Sequence, residues 1–269
     1  MSVLKPAAAL SAMFSLGVPT IVHAADGIGG WLSGDWYLTL GATVLVAPDF
    51  EGSKKYMLGA TPIISLGKAG NPVRFSSRND NISLALTDQG DFRAGVTGKF
   101  LWKRDNDEDA IRGLDPMRWG GEVGGFFEFY PLDWVRIRAE VRQGIRAHKG
   151  VVGDIAVDAF HDVTPEIRIS GGPRASFASS KYFDAYYGVT ADESFRSGLS
   201  EYNPGGGVRS LGVGGAVTWK VSDPVTTSVF GEYSRLMGPA ADSSIVRERG
   251  SRNQFTMGVS ATYRFDFTM

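Results

Sequence analysis

The chain contains no cysteine in 269 residues. That excludes a disulfide-stapled scaffold and every thiolate-based metal site or nucleophile. Histidine is scarce as well, at three. His23 falls in a leader described below, and His148 and His161 lack the spacing of paired metal ligands and read as surface histidines. A Ser–His pair assembled across strands is an alternative that spacing does not address. No excess of one charge exists: the formal net charge is −1 with bases and acids interleaved, so the basic patch a nucleic-acid partner needs is missing. Hydrophobic residues make up only 43%, and no apolar run reaches the length of a membrane-crossing helix.

Two patterns resemble chemistry without its context. Gly205-Gly206-Gly207 and Gly212-x-Gly214-Gly215 are glycine-rich, yet they do not sit between a strand and a helix as a phosphate loop must. The acidic run Asp105–Asp109 has no EF-hand register and reads as a solvated loop. No metal, cofactor or catalytic residue is therefore assigned.

Alternation is what the chain has in abundance. In Asn253–Met269 the residues Phe255, Met257, Val259, Ala261, Tyr263, Phe265, Phe267 and Met269 alternate with Gln254, Thr256, Gly258, Ser260, Thr262, Arg264, Asp266 and Thr268. A strand sends successive side chains to opposite faces, so this segment has one apolar and one polar face. The same period recurs in Asp35–Ala47, Met57–Leu66, Phe92–Trp102, Trp119–Tyr130, Trp134–Arg146, Val151–Asp162, Glu166–Ser179, Val208–Lys220 and Val225–Leu236. Pro62 interrupts the second of these with a missing donor, so a bulge or weakened pairing is expected there. Two shorter pieces, Pro72–Ser77 and Asn81–Thr87, flank Ser77-Arg78-Asn79-Asp80.

Strands of about ten to thirteen residues match the tilted length that crosses a bilayer, and are longer than those of a soluble sandwich. Short connections at Gly67–Asn71, Thr87–Asp91, Pro131–Asp133, Val163–Pro165 and Ser222–Pro224 alternate with long polar ones. Short periplasmic turns, longer extracellular loops and an even strand number define an outer-membrane barrel. If Ser77–Asp80 is a hairpin tip, the parity gives an all-β antiparallel barrel of twelve strands, with ten as the alternative. The apolar faces then meet lipid, including lipopolysaccharide, and the first and last strands close the seam.

The polar faces carry both signs of charge. The expected lumen network comprises Arg93, Lys99, Glu122, Glu128, Arg136, Arg138, Glu140, Arg142, Asp154, Asp158, Arg168, Arg174, Glu232 and Arg264. Unpaired, such ions would be costly to bury, so the interior is hydrated or densely paired. Aromatics near strand ends form the expected interfacial girdle: Trp36, Trp102, Trp119, Trp134, Trp219, Tyr233, Tyr263, Phe265 and Phe267. At the N-terminus, one Lys, the apolar stretch Ala7–Val22 and the small-residue site Val22-His23-Ala24 read as a cleaved signal peptide over residues 1–24. A lead over 25–34 and a barrel over 35–269 follow.

Four stretches carry a family resemblance: Pro48-Asp49-Phe50-Glu51-Gly52-Ser53, Tyr187-Gly188-Val189-Thr190, Tyr202-Asn203-Pro204-Gly205-Gly206-Gly207, and Asp242–Phe265. With these the mature chain resembles the MipA/OmpV family, the MltA-interacting proteins of the Gram-negative outer membrane. The resemblance implies a barrel without enzymatic activity. It further implies a scaffold that brings a murein lytic transglycosylase together with a penicillin-binding murein synthase, while porin-like and adhesin roles are also described in the family. The barrel-assembly machinery is a further expected partner. It usually reads a terminal aromatic residue, whereas here Phe267 is followed by Thr268 and Met269.

Overall fold

The computed structural model describes residues 33–68, 74–77, 80–104, 106 and 108–268. The expected signal peptide and all but the end of the lead lie outside them. Eleven strands close into one barrel: β1 (Asp35–Pro48), β2 (Tyr56–Lys68), β3 (Ile82–Gln89), β4 (Phe92–Leu101), β5 (Gly120–Leu132), β6 (Val135–Ile145), β7 (Val151–Asp162), β8 (Ile167–Ala178), β9 (Gly207–Lys220), β10 (Val225–Leu236) and β11 (Asn253–Thr268). Neighbouring strands are antiparallel except for β2 and β3, which run parallel. As the alternation requires, β11 returns to β1, with Asp35 opposite Thr268 and Val46 opposite Met257.

Among the described residues the strands number eleven, where twelve, or alternatively ten, were expected; residues 72 and 73 of the expected piece Pro72–Ser77 lie outside the described residues. Residues 74–77, expected in the missing strand, pair with no neighbour as strand. Their polar groups are satisfied instead by side chains on the inner wall: Arg74 Nε donates to Asp88 at 3.0 Å, and Arg174 Nη2 reaches Ser77 Oγ at 3.4 Å. The ring of Phe75 stacks on Phe160 at 4.5 Å. A turn does form at Ser77–Asp80, the Asp80 N–H donating to the Ser77 carbonyl at 3.2 Å, but it tips no hairpin. An odd number of strands closes a barrel only if one adjacent pair is parallel. That pair needs a long connection, which residues 69–81 supply.

Pro62 does not disturb the ladder it was expected to weaken, since β1 and β2 stay in register from Trp36–Lys68 to Pro48–Tyr56. The missing donor matters on the other flank, where β2 meets β3 only at Ser65–Ser83 and Leu66–Leu84. A second proline, Pro173 in β8, does interrupt pairing. The β7–β8 register lapses between Ala156–Arg174 and Ala159–Gly171, and Arg174 Nη1 donates to the orphaned Val157 carbonyl at 3.0 Å.

Face parity explains the rest of the wall. Leu40, Val44, Val96, Val123, Phe127, Val141, Val213, Val217, Val229, Phe255, Met257 and Val259 are all exposed large apolar residues. Together they form an outward belt, the inverse of a soluble core and the surface that hydrocarbon solvates. Short turns gather at one end of the barrel. At the other end, the long connections pack into a cap containing α1 (Ser180–Tyr187), α2 (Ala191–Ser197), α3 (Gly238–Asp242) and a single π turn, Ile245–Arg249.

Candidate functional site

The lumen network is built from the inward positions of β4 to β8. Residues two apart on one strand share a face, so Arg136, Arg138, Glu140 and Arg142 form a column on β6. Their partners stand on the neighbouring strands. Arg136 donates to both oxygens of Asp80 (2.7 and 2.9 Å), to Asp158 (2.7 Å) and to Glu128 (3.2 Å). Arg138 reaches Glu140 through Nε at 2.7 Å and also bonds Glu128. Arg142 links Glu122, at 2.7 Å, with Glu140 and Asp154. Arg174 bonds Asp158, and Arg93 lies 3.6 Å from Glu128. Aromatic faces complete the packing, with Arg138 over Phe126 at 4.3 Å and Arg136 over Phe75 at 4.8 Å. Each guanidinium presents donors in a fixed fork, which lets one Arg serve two or three carboxylates in the barrel interior.

Not every expected member joins. Arg168 sits at the turn end with Asp162 (2.6 and 2.9 Å), and Arg264 pairs with Asp266 (2.8 Å) over the ring of Tyr37. Both pairs are separate from the network. Lys99 and Glu232 line a cavity of about 210 Å³ together with Arg138, Asp154, Arg174 and Arg209. Lys99 has no carboxylate within 4.0 Å among the described residues.

Three network residues were not expected from the sequence. Asp80 and Asn81 belong to the inner segment, whose Asn81 Nδ2 donates to Glu140 at 2.7 Å. Arg209 falls on the lipid parity of β9, but a register shift opposite Ser176 and Phe177 turns it inward. It then contacts Asp154 (3.3 Å), Ser176 (3.0 Å) and the Tyr182 hydroxyl (2.9 Å). Tyr182 donates in turn to Glu51 at 2.7 Å. Arg209 and Tyr182 thus join network and cap.

The girdle residues divide between two rims. Trp102, Trp119 and Tyr233 lie at strand ends near the cap, and Trp134, Trp219, Tyr263, Phe265 and Phe267 near the turns, all exposed except the half-buried Tyr233. Trp36 departs from the expectation. Its pairing with Phe267 puts it on the outer parity, yet it is 1% exposed, and a ring covered by protein is not available to the membrane interface. His148 departs too. It is buried, its Nδ1 accepting from the Gly150 N–H at 3.1 Å and its Nε2 lying 3.1 Å from Glu122. The first bond places the proton on Nε2, which donates to the carboxylate. With both nitrogens so engaged the ring is a structural link.

The cap has its own core. Val152, Ala178, Tyr182, Phe183, Tyr187, Leu236, Ala240, Ala241 and Val246 form one buried cluster. Phe50, Ile111, Leu114, Val189, Leu199 and Ile245 form a second. Thr190 caps α2 reciprocally with Glu193. Burial would raise the Glu193 carboxyl, but bonds accepted from the Asp115 and Thr190 backbones and the Thr190 hydroxyl hold it below its ordinary value. Arg104, lowered by burial, donates to the Tyr186 carbonyl at 3.1 Å. All four stretches that carry the family resemblance reach this cap. Gly52 packs on Val246 and Tyr187, Tyr202 bonds Pro239, Val189 bridges Tyr202, and Ser243 donates to the Tyr187 carbonyl.

Membrane-length strands that are apolar outside and charged inside define the class: a transmembrane β-barrel of the Gram-negative outer-membrane type. The chain belongs to the family described as MltA-interacting protein MipA, whose model matches residues 40–265. No curated protein matches it. Among solved structures it is similar to a bacterial polysaccharide outer membrane secretin (10% identity, 87% of this chain and 99% of that one, TM-score 0.42). Others are the outer membrane channel DcaP of Acinetobacter baumannii (10%, 86% and 96%, 0.36) and Neisserial surface protein A (10%, 86% and 99%, 0.29).

Proposed function

We propose that this barrel is non-enzymatic and works by binding, as an outer-membrane scaffold that engages a murein lytic transglycosylase, and with it a penicillin-binding murein synthase, at its periplasmic turn end. The observation that carries the reading is the cap. Loops from four connections interlock there through two apolar clusters and join the lumen network through Tyr182 and Arg209. A mouth sealed in this way favours a plugged barrel over an open pore. The family description supports the transglycosylase as partner. Its docking surface is the rim of exposed ion pairs Asp162–Arg168, Lys220–Asp223 and Arg264–Asp266.

Two measurements test this function. The folded barrel in a planar bilayer should give no conductance steps, and the immobilised barrel should retain a transglycosylase from envelope extract. Regular conductance steps together with recovery of neither murein enzyme would replace the scaffold with a channel. A second reading, recognition at the cell surface, is favoured by Phe195, which stands 92% exposed on the cap helix α2. An exposed aromatic offers a large apolar area for a partner to bury. Phe195→Ala should then abolish surface binding while leaving the barrel folded.

A further inference from the structure

The outward belt is not level. Its side chains stand in rows across the strands, and the pairing gives three of them on β9, β10, β11 and β1. In the first, Val217, Val229, Val259 and Val44 lie side by side, all exposed. Two residues nearer the turns, Thr227, Ala261 and Ala42 stand opposite one another, and Trp219 and Ile167 continue that row onto β9 and β8. Two residues further on, Tyr263 faces Val225 on one side and Leu40 on the other. Small side chains therefore run between two rows of large ones. The result is a valley in the outer wall of about 700 Å³, with Trp219 and Ile167 closing one end.

Where the valley lies decides what fills it. It opens on the belt that hydrocarbon solvates, so its occupant arrives from the membrane and is itself apolar. An empty valley would leave its lining atoms without dispersion contacts, and a flexible alkyl chain supplies them. Trp219, exposed at the turn end of β9, sets one end of the valley at the membrane interface, the level at which phospholipid chains join their polar heads. Thr227 adds an independent observation. The other outward positions of β10 and β11 hold apolar residues, glycine or tyrosine, whereas Thr227 brings a hydroxyl, and that hydroxyl has no hydrogen-bond partner among the described residues. A hydroxyl turned to hydrocarbon is costly unless something accepts from it. The ester carbonyl at the head of an acyl chain is such an acceptor.

We propose that this valley is a binding site for a diacyl glycerophospholipid of the leaflet at the turn end. One acyl chain lies over Ala261 and Ala42, along the row of valines. Its ester carbonyl accepts from the Thr227 hydroxyl, and the Trp219 ring packs beside the first carbons. The volume is within the range of about 300–1,000 Å³ found for small-molecule sites. The site holds one lipid in place where the rest of the belt exchanges its lipids freely.

The probe is dipalmitoyl phosphatidylcholine carrying a diazirine in one chain, titrated into the folded barrel in detergent micelles, with labelled positions read by mass spectrometry. Label should saturate and should concentrate on Thr227, Val229, Val259, Ala261 and Val44, well above Val123, Phe127 and Val141 across the barrel. Thr227→Val keeps the shape and removes the hydroxyl, and should weaken binding roughly fivefold, the effect of one hydrogen bond. A diether analogue, which has no carbonyl, should bind the unaltered barrel equally weakly, and Thr227→Val should not weaken it further. Ala261→Phe fills the floor and should abolish labelling in the valley alone; if it fails to fold, Ala42→Leu provides the second arm. Label spread evenly around the belt, unchanged labelling in the filled variant, or equal affinity for diester and diether lipid would overturn the site. So would a dimer cross-linked through Ala261→Cys, which would assign the valley to a second copy of the chain.

Discussion

Asp80 accepts both terminal nitrogens of Arg136, at 2.7 and 2.9 Å, so the inner segment is pinned to the wall by a two-pronged ion pair. Arg136 is fully buried, and Phe75 lies beneath it. Removing one partner of a buried pair leaves the other charge without compensation. Asp80→Asn should cost about 3 kcal/mol, at the lower end of the range for broken buried pairs, because Glu128 and Asp158 still hold Arg136. Urea unfolding of the barrel in vesicles, followed by tryptophan fluorescence, measures it.

Glu193 makes the cap sensitive to acid. Its carboxyl is held below the ordinary value of 4.5 by the hydrogen bonds of the capping box and of Asp115, against the opposing effect of burial. A depressed carboxyl contributes stability that is fully present above the ordinary value and lost as pH falls through the lower, folded one. Amide exchange in 190–199 should therefore accelerate below about pH 4.5 while strand amides stay protected. Thr190→Ala should remove about 1 kcal/mol of the same local stability at neutral pH.

Gly52 holds the first cap loop in a conformation that other residues avoid, with φ at +102°. A Cβ added there would meet Val246 Cγ2 at 2.8 Å. Gly52→Ala combines backbone strain with overpacking and should cost roughly 2 kcal/mol of cap stability. Protease susceptibility in the loops, compared at equal barrel content, checks this.

Val229 lies in the middle of the outward belt, and the neighbouring Ser228 faces the lumen. Val229→Arg should destabilise the inserted barrel by about 2–4 kcal/mol, as a cation in hydrocarbon does. Ser228→Ala should change stability far less. Reversible unfolding from vesicles separates the two.

Much of the architecture is legible because a strand has a period of two. In Trp119–Tyr130 and Trp134–Arg146 the alternation assigns Phe126, Glu128, Tyr130, Arg136, Arg138 and Arg142 to one side, and these side chains are buried inside the barrel. What stays hidden depends on partners distant in sequence. Phe75 and Asp80 look like parts of a hairpin until Phe160 and Arg136 are brought to them. Arg209 has the parity of a lipid-facing residue, and only a one-residue register shift against β8 reverses it. His148 reads as a loop histidine because Glu122, its partner, stands on another strand. The cap helices are too short to show a period of their own, and packing between loops holds them rather than intrinsic propensity.

The parallel pair β2–β3 also bears on how the chain is put together. Strands β3 to β11 are joined by antiparallel neighbours throughout, so they can grow one hairpin after another. β2 cannot fold onto β3 in that manner, because a parallel pair cannot be closed by a tight turn. The hairpin β1–β2 finds its extensive partner in β11, at the far end of the sequence. The barrel is therefore an antiparallel run of nine strands closed by a two-strand flap, which is held on one side by the long β1–β11 ladder and on the other by only the two residue pairs beside Ser65 and Ser83.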